Sequence, residues 1–242
     1  MKAFIFSSLF IFVMTANAGT LSSDLPAPFI ATFELYKSGL LVAETRYQLR
    51  KTPEEIRFES NTQLRGLISL FKDASINELS LFDTSSSNKI RLQRYDFLQS
   101  GNNRQHINSI IDWTKRRVST TINNKAATYI TFNQTLWDKN SIILALISNA
   151  DKNLKQLSFQ AISQGTIESY NFVNLGLKNI DVNEDEHDEE WKSVSIWQRR
   201  YENKSIIFYL DPLINYLPVK IEKFKNQQLE ATLWLTELNS NE

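Results

Sequence analysis

Apolar residues in this chain recur with a period of two between closely spaced turns, and that pattern limits the fold more than any other feature of the sequence. Phe29, Ala31, Phe33 and Leu35 share one face of an extended chain. Lys37-Ser38-Gly39 turns it, and Leu41, Ala43, Thr45, Tyr47 and Leu49 share one face of the next strand, opposite Glu44, Arg46, Gln48 and Arg50. After Pro53-Glu54-Glu55 the alternation resumes from Ile56 to Leu64. A period of two fits a half-buried strand and not a helix. Connections this short cannot carry parallel crossovers, so the pattern predicts an antiparallel meander. An aromatic share of 12% agrees with it, because rings pack well on a pleated surface.

Further strands are predicted over Ile76 to Phe82, Ile90 to Leu98, His106 to Trp113, Val118 to Ile122 and Thr128 to Phe132. A slip in apolar phase between Leu92 and Tyr95 reads as a bulge. In the second half they are predicted over Gln156 to Ser163, Ser169 to Val173, Ser193 to Arg199, Ile206 to Leu210, Tyr216 to Phe224 and Leu229 to Leu238. Asp211-Pro212 makes the corner between two of these, and Pro218 biases Leu217 toward extended geometry. Leu136 to Ser148 instead approaches a 3.6-residue period, with Asp138 near its start and Asn149 past its end, which predicts a short helix on the concave face. The expectation is a mainly β protein: a single domain over residues 19–242, a large twisted antiparallel sheet curled into a half-open barrel or sandwich, and one short helix. Curling lets a long meander bury one face.

Lys2, the apolar run Ala3 to Met14 and Ala16-Asn17-Ala18 have the order of an export signal, residues 1–18, cleaved after Ala18. The run is shorter than the roughly 20 residues that span a bilayer, so no transmembrane segment is expected after cleavage. The chain has no cysteine, which removes disulfides, thiolate metal sites, cysteine nucleophiles and a lipid-bearing cysteine. A soluble protein in the periplasm of a Gram-negative bacterium is expected. With 27 basic and 27 acidic residues the charge is balanced, which gives no electrostatic footprint for nucleic acid.

Asp181 to Glu190 carries seven carboxylates and His187 but lacks the glycine and ligand offsets of an EF-hand, so it reads as a solvated acidic tip, with Arg199-Arg200 offsetting its charge. Neither Gly-x-Ser-x-Gly nor His-Glu-x-x-His occurs. The expectation is therefore a non-catalytic protein with no metal and no cofactor. Gly66 to Phe71 breaks the alternation with Leu67, Ile68, Leu70 and Phe71 together. Two readings stay open for it: core at a sheet edge, or an apolar contact at the mouth of a curved sheet. Trp137 shares this pair of readings.

Four segments in order, PFIATFELYKSGLLVAETRYQL, LRGLISLFKDASINELS, TLWDKNSIILAL and FYLDPLINYLPVKIEKF, resemble the bacterial envelope family called domain of unknown function 3108 over residues 26–238. The Gly-Leu-x-x-Leu-Phe and Tyr-Leu-Pro-Val segments carry most of the resemblance, and the acidic insertion departs from it. The resemblance implies an exported, mostly antiparallel β protein, similar in outline to periplasmic lipoprotein carriers, and implies no catalytic residues. The functional expectation is binding of a hydrophobic or amphiphilic envelope molecule, such as a lipid, in the concavity, with Leu67, Ile68, Leu70, Phe71 and Trp137 as candidate contacts. The alternatives are an assembly partner of an envelope protein complex and a hydrolase of envelope polysaccharide using two facing carboxylates.

Overall fold

The structure is a computed structural model that describes residues 25–70, 74–83, 90–152, 154–182 and 191–240. The expected signal peptide, Phe71 and most of the acidic segment lie outside the described residues. The strands are β1 (Phe29–Lys37), β2 (Leu40–Lys51), β3 (Glu55–Leu64), β4 (Ser75–Asp83), β5 (Arg91–Gln99), β6 (Gln105–Asp112), β7 (Arg117–Ile122), β8 (Thr128–Thr131) and β9 (Leu136–Asp138). A helix α1 (Ile142–Ile147) follows, then β10 (Gln156–Ser163), β11 (Thr166–Asp181), β12 (Trp191–Tyr201), β13 (Lys204–Asp211), β14 (Leu217–Lys225) and β15 (Gln228–Ser240).

All fifteen strands form one sheet, in the order β8-β7-β6-β5-β4-β3-β2-β1-β15-β14-β13-β12-β11-β10-β9. The first and last strands pair at its centre, and the chain passes directly from one edge, β8, to the other, β9. Every pairing is antiparallel except β9 with β10, whose connection through α1 is long enough for a parallel crossover. The sheet does not close by hydrogen bonding, yet its ends meet. Gly165, in the β10–β11 turn, lies so near β7 and β8 that an added Cβ would stand 3.4 Å from both Thr120 Cγ2 and Thr128 Oγ1.

Local chemistry accounts for the meander. Ser38-Gly39, Gln164-Gly165 and Asn226-Gln227 each place two consecutive residues at positive φ between paired strands, the turn geometry whose twist matches that of the sheet. The predicted bulge is present: Arg94 faces Leu81 and Leu92 faces Phe82, leaving Gln93 unopposed. At the corner, Asp211 Oδ1 accepts from the Leu213 amide at 2.8 Å to cap a single 3-10 turn, and Asn215 and Tyr216 at φ 58° bring the chain back into β14.

Alternate residues turn inward, among them Phe29, Ala31 and Phe33 of β1 and Ile56, Phe58 and Ser60 of β3. The interior is crossed by a file of rings running Phe82, Trp137, Phe159, Phe172, Phe208, with neighbouring centroids 5.8 to 6.3 Å apart and steeply inclined. Such pairs add about 1 kcal/mol each beyond their area burial. β12 is buried on both faces, since Val194 and Ile196 join Val219 in a smaller outer cluster while Trp197 belongs to the main core.

The helix is shorter than its sequence predicts. Leu136–Asp138 is a strand, with Trp137 opposite Ala161, and only Ile142–Ile147 is helical. Asp138 fixes the boundary by accepting the Ser141 amide on Oδ1 at 2.8 Å, a local bond that competes with helix at that point. At the far end Asn149 Nδ2 donates to the Ala145 carbonyl at 2.8 Å, satisfying an acceptor that the helix cannot. β11 is also much longer than Ser169 to Val173, because Gly176, at φ 90°, carries the strand through a bulge. Among the described residues no helix is long and apolar enough to cross a membrane.

Candidate ligand-binding cavity

The curl of the sheet leaves a cavity of about 590 Å³ between α1 and the inner face of β1, β2 and β11 to β15. Period-two alternation puts Phe29 and Phe33 of β1, Phe208 of β13, Ile221 of β14 and Leu233 of β15 on its wall, and α1 contributes Ile142, Ile143 and Ile147. The helix stands on the concave side, as expected. One end of the cavity is polar, formed by Glu78, Lys139, Glu168, Tyr170, Arg199, Tyr201 and Lys204.

Arg199 is only 8% exposed. Its guanidinium carbon lies 3.7 Å from the centroid of the Tyr170 ring and 4.2 Å from that of Tyr201. These stacking contacts offset part of the cost of desolvating the cation. Its ion pair with Glu168 spans 3.9 Å, too long for a hydrogen bond, and Glu168 itself is half exposed. Burial pushes the Tyr170 hydroxyl up while Arg199 draws it down.

At the same polar end Glu78 accepts the Tyr95 hydroxyl at 2.6 Å and stands 3.9 Å from Lys139 Nζ. Burial, reinforced by Glu78, holds the Tyr95 and Tyr47 hydroxyls far above the usual phenol range. Behind this wall Asp138 is fully buried. Its Oδ1 accepts from Ser80 Oγ at 2.9 Å as well as from Ser141, while no described group hydrogen-bonds its Oδ2. Burial, only partly countered by these bonds, pushes its carboxyl up to about 7. Asn140 Nδ2 donates to the Phe58 carbonyl at 3.3 Å and to Ser80 Oγ at 3.1 Å, so the β9–α1 segment is clasped to β3 and β4 from inside.

Of the candidate contacts named from sequence, Leu67, Ile68 and Trp137 do not line this cavity. Leu67 is 72% exposed on a 3-10 turn, Gly66–Leu70, that packs on the end of β2; Ile68 on the same turn is half-buried, and neither lines the cavity. Leu70 ends that turn and Phe71 lies outside the described residues. Trp137 is a core residue, 1% exposed between Phe82 and Phe159, because β9 pairs with β10 and turns the indole into the ring file and away from the cavity.

Residues 183–190 of the acidic segment lie outside the described residues, and Arg199 is described only with partners elsewhere. It sits eight residues along β12 from Trp191, about 26 Å away by strand rise, and engages Glu168. Sequence held a usable signal for it: Trp197, Arg199 and Tyr201 alternate, which places a charge in phase with an apolar stripe.

Fold and site together define a barrel-like open β-sheet around a partly open, largely apolar cavity. No family model and no curated protein matches the chain. Among solved structures it is similar to the crystal structure of a beta-barrel-like protein of domain of unknown function DUF1849 from Brucella abortus, with a TM-score of 0.54 and 10% sequence identity, over 88% of this chain and 97% of that one. At that identity the likeness is one of fold.

Proposed function

We propose that this protein is an exported, non-catalytic binder that holds a hydrophobic or amphiphilic molecule of the cell envelope in its concavity. The observation that carries the reading is the cavity itself. It measures about 590 Å³, within the range of small-molecule sites, and apolar and aromatic side chains form most of its wall. An apolar ligand seated there would take that wall and its own surface out of water. The ordered motifs shared with domain of unknown function 3108, and the signal-like N-terminus, support placement in the periplasm.

The test is to purify the protein from an envelope fraction, extract it with organic solvent and identify what is released. A bound lipid in the wild type that is lost in Leu233→Trp, which fills the cavity from β15, and kept in Leu67→Ser is the expected result. Full retention of the lipid in Leu233→Trp, with the protein folded, would overturn the cavity reading. Retention in Leu233→Trp combined with loss in Leu67→Ser would return the site to the Gly66–Leu70 turn.

A further inference from the structure

We infer that the cavity selects amphiphiles with an anionic head, carboxylate or phosphate, and seats that head on the in-plane N–H groups of Arg199 with the apolar chain running along β13 toward α1. The inference rests on the cavity being a binding site and deepens that reading.

Three observations support it. First, Arg199 is anchored without being consumed. The Tyr170 and Tyr201 ring centroids lie 3.7 and 4.2 Å from its guanidinium carbon, and the Glu168 oxygen is 3.9 Å away. A planar fork of donors that faces a cavity matches the paired oxygens of a carboxylate or phosphate.

Second, the charges at this end favour an anion. Lys139, Arg199 and Lys204 line the cavity against Glu78 and Glu168, a net of plus one. Of the two carboxylates, Glu78 is already engaged by Tyr95 and Lys139, and Glu168 is turned half into solvent. Asn140, Ser163 and Gln164 add neutral polar groups.

Third, the wall changes character in one direction. Lys204, Ile206 and Phe208 are alternate residues of β13 on the cavity wall, and Pro218, opposite Leu210, lines its far end. The path from Lys204 to Leu210 is about 20 Å by strand rise. A cation at one end and apolar residues along the rest match a head and a single chain in one orientation.

The experiment is calorimetric titration of the full mature chain, delipidated, with four probes sharing one alkyl chain: dodecanoate, dodecyl phosphate, dodecanol and dodecyltrimethylammonium. Acetate and inorganic phosphate serve as chainless controls. Dodecanoate or dodecyl phosphate should bind at least tenfold tighter than dodecanol, and whichever leads tells a fatty acid from a phosphorylated lipid as the source of the head. Arg199→Met should weaken the anions at least fivefold and bring anion and alcohol within about twofold of one another. Glu168→Gln, an exposed change that keeps the fold, should tighten the anions about fivefold and leave the alcohol alone, so the inference stays testable even if Arg199→Met fails to fold.

Equal binding of all four alkyl probes would overturn the head-group inference while leaving the cavity reading intact. Acetate or phosphate binding as tightly as its dodecyl counterpart would also overturn it, since the chain would then contribute nothing. Binding of no probe would overturn both readings.

Discussion

Asp138 should make this protein less stable as pH rises through neutrality, and Asp138→Asn should abolish that dependence. Its folded carboxyl is pushed up to about 7 by burial, against an ordinary value of 3.8. Between those values the unfolded chain has lost a proton that the folded chain retains, so unfolding releases a proton and stability falls with increasing pH. The stabilisation is complete below about pH 4 and is lost as pH passes through about 7. A shift of about three units corresponds to roughly 4 kcal/mol over the whole range. Between about pH 5 and about pH 8 it amounts to about 3 kcal/mol. Asparagine retains an acceptor for Ser80 and Ser141 and does not titrate. Urea unfolding of both proteins at the two pH values isolates the effect, because every other titrating group cancels in the comparison. Wild type should lose about 3 kcal/mol more than the variant on going from the lower pH to the higher. An unchanged difference between the two proteins would show that Asp138 does not titrate in this range, and would refute the argument from burial.

Two further substitutions test the packing. Gly66→Ala should destabilise by about 2 kcal/mol or more, measured by chemical denaturation, because an added Cβ would lie 2.3 Å from the Leu41 carbonyl oxygen at φ 64°; a neutral result would mean that the Gly66–Leu70 turn moves freely off β2. Trp137→Ala should cost about 3–5 kcal/mol by the same assay, since it empties the centre of the ring file between Phe82 and Phe159. A cost below about 1 kcal/mol would mean that the interior collapses around the loss.

The strands were legible because their evidence is local. A period of two, a Ser38-Gly39 turn and the phase slip around Gln93 are properties of a few neighbouring residues, and the structure keeps all three. The helix was misjudged for an equally local reason. Spacing alone does not separate an apolar helix from a short buried strand followed by a turn, and Asp138 acts as the divider. The cavity was not legible because apolar residues that break the alternation, such as Leu67, stand out in a sequence, whereas cavity-lining residues look like any other inward position of a strand. Phe208 and Leu233 follow the same alternation as the residues that fill the core.

The sequence by itself determined an antiparallel β chain with one helical interruption, since strand faces, turns and a bulge depend only on which residues adjoin. It did not determine that β1 pairs with β15, that the β10–β11 turn at Gly165 comes up against β7 and β8, or that Asp138 reaches Ser80 across 58 positions. Those contacts depend on how far the sheet curls, which is a sum of small twists over fifteen strands. The curl alone decides that space remains between α1 and the sheet, and that Arg199, Tyr170, Lys139 and Glu78, drawn from distant parts of the chain, share its polar end.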